Sequence, residues 1–495
     1  MNTLFRFCVI SFFLILGLYG CKKKTNGPYF ATGIKIGEVT DNSAILWVRL
    51  TNDSLPGGFG NPMPEIVYSD PETGQIVDEF IKDRNDYTPV INFPDEETYS
   101  ILEGATVGIE GDIMAYYKSK NSAHWEQTNW FKVNPARDYT TQFELTGLQS
   151  NQSYEIRIVS RYPGSEAIGE SIDGRFHTAP SPDEIADVTF AVSTGQAYID
   201  QDAPEGGFKI YKAMMKLGID FFIHTGDIVY YDNLAKNKAL ARWHWSRTYS
   251  LPTNFQFHKN VSSYFIKDDH DTWLNDCWPG YETRFMGDFT FEQGQAIFLE
   301  QVPIQGKTYR TYRWGKDLQI WIMEGRDYRS PNTDPDGPDK TIWGKEQKTW
   351  LFSTVKESDA TFKILISPTP IVGPDRLTKH DNHSNKDFTF EGNEIRRFIA
   401  EQKNMYVVCG DRHWQYVSRD ADTGIKEYSC GPASNDHAGG WNNEMLSPEH
   451  EYLNVTGGFL TAKTTRINDD PFLVMSHYGV DGEILNSDTL SLPTK

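Results

Sequence analysis

Cysteine is scarce in this chain: five in 495 residues, two of them, Cys8 and Cys21, near the N-terminus. The other three, Cys277, Cys409 and Cys430, are too few and too scattered for a disulfide framework or a zinc ribbon, and their odd number leaves at least one thiol free. Positive charge is also in short supply. Lys and Arg number 48 against 68 Asp and Glu, a net charge of −20, which excludes the broad basic surface that nucleic-acid binding needs. No second long apolar run follows the first residues, and no internal repeat or low-complexity tract is present. What the chain does have is 14% aromatic residues and 13 tryptophans, the profile of a folded protein, with a length that suits two domains.

The first residues read as a processing signal. Arg6 supplies a short basic region, and residues 7–18 form an apolar stretch shorter than a typical spanning helix. Leu18-Tyr19-Gly20-Cys21 resembles the lipobox of bacterial lipoproteins, which makes residues 1–21 a signal peptide ending at a lipid-bearing Cys21. The competing reading is an ordinary secretory signal in which Cys21 is incidental. Lys22, Lys23 and Lys24 would lie against anionic headgroups, and residues 22–28 form a tether. The expected place is the cell envelope, lipid-anchored to a bacterial membrane on its periplasmic or surface face.

From residue 29 short alternating strands begin, as at residues 43–50. The segment 141–159, with Leu148, a polar turn and Tyr154 before alternating apolar residues, resembles the tyrosine corner of a fibronectin III-like sandwich. Residues 29–180 are therefore expected to form a β-sandwich, with extra strands or a decorated loop between 52 and 135. After a proline-containing linker the regime changes. From residue 188 to 495, short apolar strands alternate with helical stretches, as expected for an α/β domain.

Four of these strands run into chemistry. Gly226-Asp227 follows Phe221-Phe222-Ile223, and the glycine permits a sharp turn that aims the carboxylate outward; a helix-capping aspartate is the competing reading. Asp268-Asp269-His270-Asp271 packs three acids around a histidine, which repel one another unless a cation neutralises them. His270 could protonate a leaving oxygen. Glu324-Gly325-Arg326-Asp327-Tyr328-Arg329 offers two arginines whose planar forks match an oxyanion, although Arg329 could equally pair with an acid at the sheet end. Gly410-Asp411-Arg412-His413 places an acid and a histidine two apart, on one face if the strand stays extended. Strand ends that carry such groups are costly unless they meet a cation or an anionic substrate, and hydrolysis of an anionic ester by two clamped ions suits the set best.

Taken in order with Ala44-Ile45-Leu46-Trp47-Val48-Arg49-Leu50 and Trp343-Gly344-Lys345-Glu346-Gln347, these motifs resemble the PhoD-like alkaline phosphatase family of the calcineurin-like metallophosphoesterases. The resemblance implies an Ig/fibronectin III-like β-sandwich followed by a four-layer α/β/β/α metallophosphatase domain. It implies that Asp227 bridges two metals, that Tyr230 binds the iron-type site, and that Asp269, Asn275, Asp411 and His413 are further ligands. His270 would assist the leaving group and Arg326 would act beside it. One departure concerns the metal. Where the family carries a Ser-Cys-Gln, this chain has Ser193-Thr194-Gly195-Gln196, so the thiolate that holds ferric iron is missing. That favours two divalent ions, calcium, manganese or zinc. A second departure is the segment 367–383, where Lys379 and His383 are expected on a substrate-side wall together with Arg329, a surface loop being the alternative. The leading substrate is a phosphate ester. The rivals are a sulfate ester on a polysaccharide and a non-catalytic surface protein with a decayed site.

Overall fold

Two large sheets lie face to face and carry most of the chain. The structure, a computed structural model, describes residues 27–77, 86–92, 96–402 and 404–492. Cys21 and the three lysines after it lie outside the described residues. Among the described residues no helix is long and apolar enough to cross a membrane.

The first sheet has nine strands and the second has seven. In the first, Val188–Ser193, Phe221–His224 and Ser262–Phe265 run parallel. In the second, Leu318–Ile322, Phe362–Ser367, Met405–Cys409 and Lys426–Cys430 do the same. Most of these strands are rich in Val, Ile, Phe and Leu because both of their faces are covered, Ser262–Phe265 and Lys426–Cys430 being the polar exceptions. Phe190, Val192, Phe221, Ile223, Ile320, Ile364 and Val408 pack between the sheets in one core. Each such side chain contributes about 1.5–3 kcal/mol when fully buried. The outer faces are covered by helices. Lys209–Leu217 and Pro252–His258 pack on the first sheet, with Tyr211 tilted against Phe257 at 4.6 Å. Gly344–Glu357 and Thr389–Glu401 cover the second, with Phe352 stacked on Phe398 at 4.0 Å. The result is the expected α/β/β/α order of layers.

The N-terminal sandwich is built as expected and then joined to its neighbour. Ser153–Arg161 pairs with Ser171–His177 and Asp112–Ser119 in one sheet, and Tyr154 Oη accepts the Gln149 N–H at 2.8 Å, a tyrosine corner. The facing sheet, made of Ile34–Gly37, Ser43–Arg49 and Thr140–Thr146, is the end of the nine-stranded sheet, because Ile34–Gly37 pairs in parallel with Ser262–Phe265. One sheet therefore crosses the sequence boundary at 180–188. The insertion forms extra strands: Ile66–Ser69 lies between Ile76–Val77 and Thr88–Ile91. It packs against the region after residue 188, with Tyr68 stacked on Phe285 at 5.4 Å. Cys277, Cys409 and Cys430 are all buried and free.

Candidate metal centre

The carboxyl ends of both sets of parallel strands point to the same edge of the molecule, where α/β sheets place their sites. Two links close that edge: Thr194 forms a backbone bridge to Pro432, and the Asp411 N–H donates to the side-chain Oγ1 of Thr194 at 3.2 Å. Two glycines let the loops come this close. A Cβ on Gly226 would sit 2.6 Å from Asp268 Cβ, and one on Gly410 would sit 2.4 Å from Thr225 Oγ1. Asp227 and Asp411, the residues directly after them, both hold the left-handed backbone conformation, with φ of 56° and 60°. Two non-glycine residues in that region at one site is the kind of strain that functional loops retain.

The acids and histidines expected from the sequence converge here. Asp227, Asp269 and His270 present ligand atoms within 4.8 Å of one another, and so do Asp227, Asp268 and Asp411. Asp227 belongs to both groups. Its Oδ2 lies 3.9 Å from His413 Nε2 and 3.5 Å from Tyr230 Oη, while its Oδ1 is buried with no hydrogen-bond partner. An unpartnered buried carboxylate oxygen costs several kcal/mol unless a cation meets it, so this donor set fits divalent ions. A third group, Asp269, Asp276 and Asp381, adjoins the first two through Asp269.

Electrostatics divide the side chains by role. Burial raises the Asp227 carboxyl to about 7, with His270 opposing the shift. Burial also lowers the imidazole of His413 to about 3, helped by the positive charges of His270 and Arg412, so it is neutral as a ligand must be. His270 behaves differently. Burial opposes its charge, but Asp232, whose carboxylate lies 2.9 Å from Nδ1, together with Asp269 and Asp227 holds it protonated well above its usual range. Burial, then Asp227, pushes the Tyr230 phenol up, so it too is neutral. For Asp269 burial acts upward but Arg326, His270 and Lys379 outweigh it and keep it ionised.

Several expectations need correction. Arg326 does not face a substrate. It is fully enclosed, with Nε 2.6 Å from Asp268 and Nη2 3.5 and 3.4 Å from Asp269 and Asp381, so it is a buried counter-ion that positions acids. Arg329 is buried as well, donating to Asn332 Oδ1 and the Asp381 carbonyl at 2.7 Å each. His383 is not on the wall. It sits in the core between Trp343 and helix Thr389–Glu401, bonded to Glu391 Oε2 at 2.9 Å. Its neighbour Asp381 is the residue of that segment that reaches the site. Lys379 does stand at the site's edge, 2.5 Å from Asp276 Oδ1. Asn275 is exposed and its backbone N–H donates to Asp232 Oδ2 at 3.1 Å. Asp411 and His413 reach Asp227 through a left-handed loop and not along an extended strand, since the strand ends at Cys409.

Sequence reasoning missed four residues. Asp232 follows Tyr230 by two positions and orients His270. Asp276 and Asp381 form the third acid group. His437 follows the strand Lys426–Cys430 on a loop; its Nε2 accepts from Tyr230 Oη at 2.6 Å, and its Nδ1 is 2.7 Å from Asp200 Oδ2. The signal for His437 was a fifth buried strand end followed by Asn435-Asp436-His437, which lacks the acid soon after the strand that marked the others.

A strand-rich sandwich joined to a four-layer domain with a metal-ligand set at its strand ends defines the metallophosphatase architecture. Residues 190–454 match the family described as PhoD-like phosphatase, and the chain belongs to it. Alkaline phosphatase D of Bacillus subtilis (strain 168) is 21% identical over 438 residues, covering 79% of this chain; the chain spans 65% of that relative's length. A solved structure of PhoD superposes with a TM-score of 0.66 at 17% identity, covering 93% of this chain and 89% of that one. The purple acid phosphatase PPD1 from yellow lupin (Lupinus luteus) seeds gives 0.59 at 12% identity, covering 92% and 74%. At these identities the two structures show the shared fold.

Proposed function

We propose that the protein hydrolyses phosphate esters with two divalent ions, which Asp227 and the donors around it would hold. The observation that carries this reading is the position of Asp227. It is shared by two donor groups, and one of its buried oxygens lacks a partner. Asp269 completes one group, with the protonated His270 beside it as the acid, while Asp268 and Asp411 complete the other, with His413 and Tyr230 beside Asp227. When bound, such ions polarise the ester oxygens and activate water for in-line attack. The chain's own contribution is at the leaving group. Asp232 fixes His270 through Nδ1, so the protonated ring presents Nε2–H to the departing oxygen and neutralises it as the P–O bond breaks. Lys379, 14% exposed, is the cation at the edge that an anionic substrate would meet. With a glycine at 195, calcium, manganese or zinc suits the site better than ferric iron.

The test is a panel of an aryl phosphate, a phosphodiester and sulfated sugars, run on metal-stripped and reloaded protein. Phosphate ester turnover that disappears on stripping and returns on reloading supports the reading. Full activity after stripping removes the metal mechanism, activity on sulfated sugars alone moves the substrate class, and none on any ester favours a binding protein. We also propose a lipid on Cys21. Mass spectrometry of the mature N-terminus checks it, with Cys21→Ala expected in the soluble fraction.

A further inference from the structure

We propose that His437 is a metal ligand, supplying the donor on the Tyr230 side of Asp227 where Gly195 offers no side chain. This rests on the metal-hydrolase reading above and adds to it a residue and a metal class. The loop that carries His437 is pinned around the site at both ends: Ala433 N–H donates to the Gly195 carbonyl at 2.9 Å, and Gly439 N–H to the His413 carbonyl at 3.0 Å. Within it, Asp200 Oδ2 accepts a hydrogen bond from His437 Nδ1–H at 2.7 Å. That bond fixes the tautomer and leaves a lone pair on Nε2, the arrangement that metal-binding histidines adopt with a carboxylate behind them. Nε2 points inward, 2.6 Å from Tyr230 Oη, which is 3.5 Å from Asp227 Oδ2. The ring lies 4.1 Å from that of His413, whose Nε2 is 3.9 Å from the same carboxylate oxygen. Asp227, Tyr230, His413 and His437 thus surround one position.

The competing reading is a histidine that merely anchors the Tyr230 hydroxyl. Position 195 argues against it. A Cβ there would fall 3.0 and 3.1 Å from Cδ2 and Nε2 of His437 and 3.2 Å from Tyr230 Oη. A side chain at 195 and the His437 ring therefore compete for the same approach to Asp227, and this chain keeps the ring. Two imidazoles with a carboxylate and a phenol make a position for zinc or manganese, whereas calcium takes oxygen ligands.

The experiment strips the full chain, titrates it with zinc and with cobalt(II), and measures bound metal per chain together with the cobalt absorption spectrum. The wild-type protein is expected to bind two ions. His437→Ala should lose one of them, or bind it at least about 10-fold more weakly, with an altered cobalt spectrum that added imidazole restores. Asp200→Asn should weaken the same ion by about 10–100-fold. Should His437→Ala fail to fold, His437→Gln keeps a side chain against Tyr230 and is expected to show the same loss. Two ions in the wild type and both retained in the variant, with unchanged affinity and spectrum, would overturn the assignment alone. No ion in the wild type would overturn the metal-hydrolase reading and the assignment with it.

Discussion

The two sides of the site balance their charge in opposite ways. Around Asp269 the chain brings its own cations: Arg326 contacts Asp268, Asp269 and Asp381, and Lys379 contacts Asp276 and Asp381. Around Asp227 it brings only the protonated His270. Among the described residues that carboxylate pairs with no lysine or arginine, His413 and His437 are held neutral, and Oδ1 has no partner. Acids that carry their counter-ions are held in place by the fold. An acid without one is stable in that form only with a cation from outside. The pairing thus marks Asp227 as the acid with the most to gain from a bound cation.

Removing the unbalanced acid should have the largest effect. Asp227→Asn keeps the shape and deletes the charge shared by both groups, so turnover is expected to fall on the order of 1000-fold, from several kcal/mol of lost stabilisation, together with bound metal. Steady-state kinetics and metal analysis check this; unchanged metal content would break the comparison. On the opposite side, Arg326→Met leaves Asp268 without its counter-ion and weakens the balance at Asp269 and Asp381. It should cost about 3–5 kcal/mol of stability, read as a lower denaturation midpoint. If Arg326 clamped substrate instead, the midpoint would hold and KM would rise.

His270→Gln tests a group that belongs to both sides. Its loss should slow esters with poor leaving groups by about 100-fold and spare those with good ones. Because its neighbours raise its folded pKa, its charged form and the stability that form lends are complete below the unfolded value near 6.5. Both fade as pH rises through the raised folded value. A smaller effect is expected away from the site, where Glu391 is balanced within the core. Burial opposes its ionisation, but His383, Thr341 and the Ile342 N–H outweigh that and hold it at about 2, against 4.5 for the free group. The stability it contributes is present above about 4.5 and lost as pH falls towards 2. Glu391→Gln should lower the stability at pH 7 by about 2 kcal/mol, read as a lower denaturation midpoint, and flatten the acid limb of the stability curve.

The layers and the ligand types were legible early. Strand ends such as Phe221-Phe222-Ile223 before Gly226-Asp227, and Met405 to Cys409 before Gly410-Asp411, read as buried strands feeding a site, and they do so in the structure. The tyrosine corner at Tyr154 was legible because its partners lie within a few residues. Exposure was not legible. Arg326 and Arg329 look like oxyanion clamps in a linear chain, and nothing local says that the buried acid Asp381 arrives from some fifty residues away to enclose them. His383 carried the same ambiguity until Trp343 and helix Thr389–Glu401 closed over it.

By itself the sequence determined the succession of a strand-rich region and an α/β region, the metal-ligand chemistry of the strand ends, and the missing thiolate at Gly195, because periodicity, turn glycines and residue type are local properties. Tertiary structure alone decided that one sheet runs through both regions, that Arg326 faces inward, and that His437, backed by Asp200, meets Tyr230. Those outcomes depend on which segments pair and which loops cross, and contacts between residues as far apart as 200 and 437 are selected only when the sheets pack and their loop ends meet.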